Sequence, residues 1–149
     1  MAAIQVYLDV STLSRSFDDQ SQARIRLETE AAALILAHVR LGTLELMVSP
    51  VHNVEINANP DVEERSYLRL LLERLGVPIS ADHLAVRERA EALADAGMGV
   101  ADAAHVAFAE AAEAAFITVD DRLRKQCRRL AVKVWYGTPL AFCDKENLR

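Results

Sequence analysis

Apolar and polar positions alternate along this chain in two rhythms, and the switches between them mark out its elements. Residues 4–8 (Ile4, Gln5, Val6, Tyr7, Leu8) form a short apolar run closed by Asp9, the pattern of a buried strand. A helix is predicted over 22–41, and its middle, 31–37, is apolar nearly all round, so that it is largely buried. Gly42 stops it, and 44–48 reads as a second strand. Asn59-Pro60-Asp61 reads as a helix start, with Asn59 as N-cap and Pro60 at the first helical position. Leu68, Leu71, Leu72 and Leu75 then give one core stripe, and Gly76 ends the helix. Residues 77–79 are a short strand whose proline favours a sheet edge. Ser80 is the expected cap of a helix running to about Gly97, and a further helix occupies 100–114. Residues 115–119 read as a strand, 122–130 as a basic helix and 132–136 as a final strand. The stretch 50–56 is loosely patterned and receives no element.

Apolar runs alternating with helical patterns imply βα units, right-handed crossovers and a mainly parallel sheet of about five strands covered by helices on both faces. No repeat or linker divides the 149 residues, which are read as one α/β domain spanning 1–149. With 52% hydrophobic and 26% charged residues, the composition is that of an ordinary globular chain. The longest apolar run, 31–37, is too short to span a bilayer, and the first residues lead into a strand without a basic or cleavable leader. The expectation is a cytoplasmic protein with no membrane partner. Cys127 and Cys143 have neither CxxC nor zinc spacing and read as reduced thiols.

The chemistry lies in the acids that stand where apolar runs stop. Asp9 closes the first strand and Asp120 closes 115–119, while Asp102 falls in the first turn of its helix, where the macrodipole favours an anion. Glu55 follows the second strand. In open parallel α/β sheets, ligands bind outside the carboxyl ends of the strands. Four ionised carboxylates gathered there at ~5 Å repel by about 3 kcal/mol per pair at an effective dielectric of ~20. A hard divalent cation, Mg²⁺ or Mn²⁺, removes that conflict, and the lack of a Cys/His set argues against zinc. Of the neighbours Asp120 and Asp121, one is expected to bind metal, with the other behind it or at the surface. The net charge of −5 does not advertise nucleic-acid binding, yet Arg122, Arg124, Lys125, Arg128, Arg129 and Lys133 crowd one stretch.

In combination these segments resemble the PIN-domain nucleases, which include the VapC-type toxins of toxin–antitoxin pairs. The matching pieces are residues 7–13 (Tyr7-Leu8-Asp9-Val10-Ser11-Thr12-Leu13), Glu55, Asp102-Ala103-Ala104-His105-Val106-Ala107, and Phe116-Ile117-Thr118-Val119-Asp120. The resemblance implies an α/β/α sandwich and metal-dependent endonucleolytic cleavage of RNA. Asp9, Glu55, Asp102 and Asp120 would bind one or two ions. Ser11 and Thr118 would orient carboxylates or water, with Asp121 as a further supporting acid. His105, one turn after Asp102, would pack or hydrogen-bond rather than ligate metal. Arg122, Arg124, Lys125 and Arg128 would hold the RNA backbone, with Arg15 and Arg24 as weaker candidates. A cognate antitoxin and a homodimer are the partners it implies. Asp18 and Asp19 belong to a polar turn that some members carry after the first strand. Two rivals stand beside this reading. One is a catalytically inactive RNA- or protein-binding module of the same family. The other is a haloacid-dehalogenase-like phosphatase, whose second aspartate is replaced here by Ser11.

Overall fold

The computed structural model describes residues 2–149; Met1 lies outside them. Five strands, β1 (Ile4–Leu8), β2 (Leu44–Val48), β3 (Gly76–Pro78), β4 (Ala115–Ile117) and β5 (Tyr136–Gly137), pair in parallel in the order β3-β2-β1-β4-β5. Between and beyond them lie α1 (Val10–Leu13), a 3₁₀ turn (Arg15–Phe17), α2 (Ala23–Leu41), α3 (Pro50–Asn57), α4 (Val62–Leu75), α5 (His83–Asp95), α6 (Val100–Ala111), α7 (Asp121–Arg129) and α8 (Pro139–Lys145).

Alternation along the central strands divides the core in two. Val6, Leu8, Leu46 and Ile117 face a cluster with Ile35 and Leu36 of α2, Leu68, Leu71 and Leu72 of α4, and Phe142 of α8. Tyr7, Met47 and Phe116 face the opposite cluster, built from Val86 and Leu93 of α5, Val106 and Phe108 of α6, and Leu123 and Cys127 of α7. Helices therefore cover both faces, giving the three-layer α/β/α sandwich. Cys127 and Cys143 are buried free thiols, one in each layer. No helix of the described residues is long and apolar enough to cross a membrane.

The order places β1 beside both β2 and β4, so the connections leave it in opposite directions. That reversal opens a crevice at the carboxyl end of the sheet. The chain enters this crevice after β1 at Asp9, after β4 at Thr118–Asp120, and after β2 through α3.

Several boundaries differ from the sequence pattern, each for a local reason. Asp61, not Asn59, caps α4, accepting from Glu64 N at 3.0 Å; Asn59 instead bonds Asp61 N in an Asx turn, which leaves Pro60 outside the helix. Asp82, not Ser80, caps α5 through Leu84 N and Ala85 N. The strand expected over 115–119 ends at Ile117, because Val119 N turns to the Thr12 hydroxyl instead of a ladder. That expected over 132–136 pairs only at Tyr136–Gly137, since Lys133 N is drawn to Glu110 Oε2 at 2.8 Å. Helices α3 and α8 lie in segments to which no helix was assigned. Each begins with a hydroxyl residue and proline, Ser49-Pro50 and Thr138-Pro139.

The α4–β3 junction admits no side chain: a Cβ at Gly76 would meet Val48 Cγ2 and the Leu72 carbonyl oxygen. Gly76→Ala is therefore expected to lower unfolding stability by about 1–3 kcal/mol, read as a reduced midpoint in urea at unchanged slope.

Candidate metal centre

Asp9 is only 4% exposed, and an ionised carboxylate at that depth needs donors. It has four. Oδ1 accepts from Ser11 Oγ (3.0 Å), Thr12 N (3.1 Å) and Thr12 Oγ1 (2.6 Å), and Oδ2 accepts from Thr118 Oγ1 (2.6 Å). The same residue caps α1, so the carboxylate that ends the strand also starts the helix. Thr12 escaped the sequence reading; its signal is a hydroxyl three residues after a capping acid.

Thr118 ties the next acid to this one. Its hydroxyl donates to Asp9 and accepts from Asp120 N at 3.1 Å. Asp120 caps α7, accepting from Leu123 N at 3.2 Å. Asp102 lies in the first turn of α6 beside Gly99, where a Cβ would come within 3.4 Å of Asp102 Oδ2. Asp102, Asp120, Arg122, Leu123, Gln126 and Gly99 line a cavity of about 280 Å³. Burial first, then the charges of Asp9 and Asp120, push the Asp102 carboxyl above its ordinary range, with Glu55 adding a smaller push. The fold thus brings the other three predicted acids within electrostatic reach of Asp102. Glu55 stands across the crevice on α3 and takes its hydrogen bond from His105 Nε2, which lowers its carboxyl pKa.

Among the described residues, no three histidine, cysteine or carboxylate side chains already stand at ligating distances from one point. A cation would have to draw the acids inward. The donor set suits a hard cation: four carboxylates, no thiolate, and one carboxyl driven toward protonation by its neighbours.

The remaining candidates separate. Asp121 leaves the crevice, because adjacent residues at a helix start point about 100° apart. Its carboxylate is bound by Arg24 (2.7 and 2.9 Å) and Arg124, and Arg24 above all holds it down at about 2. Among the described residues its hydrogen bonds go to Arg24 and Arg124 alone. Arg124 is likewise turned inward, to the Thr118 carbonyl (3.0 Å) and Asp121, rather than outward to a phosphate. Arg15 is committed to Glu28 and Asp18, and Arg24 to Glu28 and Asp121. Arg122 reaches the acidic cavity, and Lys125 and Arg128 line a shallow depression next to Asp121 and Tyr136. Asp18 and Asp19 are exposed.

Comparison with known proteins gives a family and a fold. The PIN domain family matches residues 6–129, and this chain belongs to it. PIN domains are generally nucleases and typically use divalent metals. Among solved structures, FitAcB from Neisseria gonorrhoeae is similar at 17% identity and TM-score 0.55, covering 91% of this chain and 98% of that one. FitAB bound to an IR36 DNA fragment is similar at 17% identity and TM-score 0.56, covering 90% and 94%. No curated protein matches the sequence.

Two stability measurements follow from the site. His52 is fully buried, donates Nε2–H to the Leu8 carbonyl (2.8 Å) and accepts from Ser49 N (3.1 Å). Burial first, then His105, depress its pKa from 6.5 to about 4. The unfolded state then binds the proton more readily, so stability present above 6.5 is lost as pH falls through 4. Between pH 7 and pH 4, wild type should lose roughly 3 kcal/mol more than His52→Gln in denaturant titrations. Asp102 has the opposite sign: its pKa is raised, so stability is lost as pH rises through it and the carboxyl becomes charged. In chelator at pH 7, Asp102→Asn is expected to unfold at a higher temperature than wild type, the gap closing as acid protonates Asp102.

Proposed function

We propose that this chain is a metal-dependent endoribonuclease, the toxin member of a toxin–antitoxin pair, acting as one domain in the cytoplasm. The observation that carries the reading is the gathering of acids at the sheet's switch point, where Asp102 and Asp120 line one cavity and burial first, then the charges of Asp9, Asp120 and Glu55, raise the Asp102 carboxyl. Family membership favours a nuclease over the phosphatase alternative.

Asp9, Glu55, Asp102 and Asp120 would hold one or two Mg²⁺ or Mn²⁺ ions. When bound, such an ion would supply Lewis-acid chemistry, making water more acidic and neutralising charge on the phosphoryl oxygens of the scissile diester. The chain's own groups do the positioning. Ser11, Thr12 and Thr118 fix the Asp9 carboxylate, and the α7 amide of Leu123 fixes Asp120. Arg122, on the wall beside Asp102 and Asp120, offers a guanidinium to the backbone phosphate, and Lys125 and Arg128 extend that contact along α7. The likeness to FitAB, a PIN-domain toxin–antitoxin complex, supports an antitoxin partner; a homodimer is the other partner proposed.

Asp9→Asn and Asp102→Asn are each expected to reduce Mn²⁺-dependent cleavage of a single-stranded RNA by roughly 100-fold or more, with an unchanged circular dichroism spectrum. Cleavage by wild type that survives EDTA would overturn the mechanism. RNA bound but never cut under Mg²⁺ or Mn²⁺ would favour the inactive binding module.

A further inference from the structure

Behind Glu55 runs a buried polar chain that metal ligation alone does not require. Ser49 Oγ meets Tyr7 Oη at 2.7 Å, Tyr7 Oη meets His105 Nδ1 at 2.5 Å, and His105 Nε2 donates to Glu55 Oε1. Tyr7, Ser49 and His105 are at most 1% exposed, whereas the Glu55 side chain is 36% exposed. Tyr7 sits on the central strand with its ring among His52 (4.6 Å between centroids), His105 (5.5 Å) and Phe116 (5.9 Å). A phenylalanine would pack there equally well, so the buried hydroxyl answers a polar need. His52, held at both ring nitrogens by Leu8 and Ser49, closes the cage around the His105 imidazole at 5.1 Å. An ionised Glu55 can only accept, so His105 Nε2 carries the proton; in the neutral ring Nδ1 then accepts from the Tyr7 hydroxyl, which accepts from Ser49 Oγ.

The four acids differ in how they are held. Asp9 has four hydrogen bonds and Asp120 a helix cap. Glu55 has the longest side chain and stands half-exposed on an eight-residue helix. Among the described residues its carboxylate has one partner, His105, and Oε2 accepts none. The group that fixes Glu55 therefore comes from α6, across the crevice, with its ring locked by the central strand.

We propose that His105 and Tyr7 are positioning residues for Glu55: the Tyr7-anchored imidazole holds Oε1, so that Oε2 is presented as a cation ligand. This rests on the metal-centre reading above and adds which residues make that centre bind tightly. Such supporting hydrogen bonds to ligands are worth about 10–100-fold in metal affinity.

The test is Mn²⁺ binding, measured from the loss of the free-ion EPR signal, with no substrate present. Tyr7→Phe, which keeps the packed ring, and His105→Leu, which removes the donor, should each weaken Mn²⁺ binding about tenfold or more. Neither should weaken it further in a Glu55→Ala background, because their effect passes through that carboxylate. Urea midpoints of the same variants show whether each is folded, and Tyr7→Phe carries the test if His105→Leu is not. Affinity within twofold of wild type for a folded variant, tighter binding, or an equal loss in the Glu55→Ala background would overturn the proposal. Wild type that binds no Mn²⁺, or binds it independently of Glu55, would overturn the metal-centre reading itself and this inference with it.

Discussion

An ionised aspartate buried at the end of the central strand is the constraint around which the rest of this molecule is arranged. Asp9 cannot remain charged at 4% exposure unless its oxygens are hydrogen-bonded, and its donors come from two directions. Ser11 and Thr12 bend the chain into α1, and Thr118 reaches over from the end of β4. Asp9 N also bonds the Ile117 carbonyl, so the ends of β1 and β4 are joined by backbone and side chain together. Because the Thr118 hydroxyl takes the Asp120 amide as well, fixing Asp9 also fixes where Asp120 and α7 begin. One buried charge therefore sets the geometry of two acids and the direction of a helix.

The same arrangement costs stability. Burial and like charges both raise the Asp102 carboxyl, and no hydrogen bond to its side chain offsets them among the described residues. Offsetting it is the core on both faces of the sheet, in which Tyr7, Leu8, Ile35, Phe116, Ile117 and Phe142 are completely buried. Full burial of each such side chain contributes about 1.5–3 kcal/mol, so a few of them outweigh the repulsion between carboxylates.

How legible this was in the sequence depended on whether the signal was periodic or a single contact. β1 and β2 fall on the expected residues, and α2 begins one residue later than its pattern predicts, because unbroken apolar runs and a glycine stop are strong signals. Helix α3 was not legible from periodicity: eight residues give barely two turns, and only Ser49-Pro50 announces it. Glu55 was consequently named without the helix that carries it, and its link to His105 depends on α3 and α6 facing each other across the crevice. The Asp120–Asp121 ambiguity had the same origin. Adjacent acids look alike in sequence, whereas Arg24, ninety-seven residues away, selects which of them leaves the crevice. Strand ends were misjudged wherever a side chain replaced a ladder partner, as Thr12 does for Val119 and Glu110 for Lys133.

That selection by Arg24 also changes what the basic stretch can do. Ion pairs run from Asp18 through Arg15, Glu28 and Arg24 to Asp121 and Arg124, joining the 3₁₀ turn, α2 and α7. Glu28 is buried in the middle of this series, so breaking it would leave a charge without water or partner, and the arginines are held accordingly. Three arginines that look free in the sequence are therefore structural. On α7, Arg122 stands beside the acids, and Lys125 and Arg128 lie further along the helix. On a chain of net charge −5, affinity for a polyanion cannot come from bulk charge. Under the proposed function it would come from guanidinium and ammonium groups on α7, together with a cation that cancels the carboxylates opposite. Under that proposal substrate binding and metal binding would be linked, because an acidic crevice without an ion would repel the phosphate that Arg122 would attract.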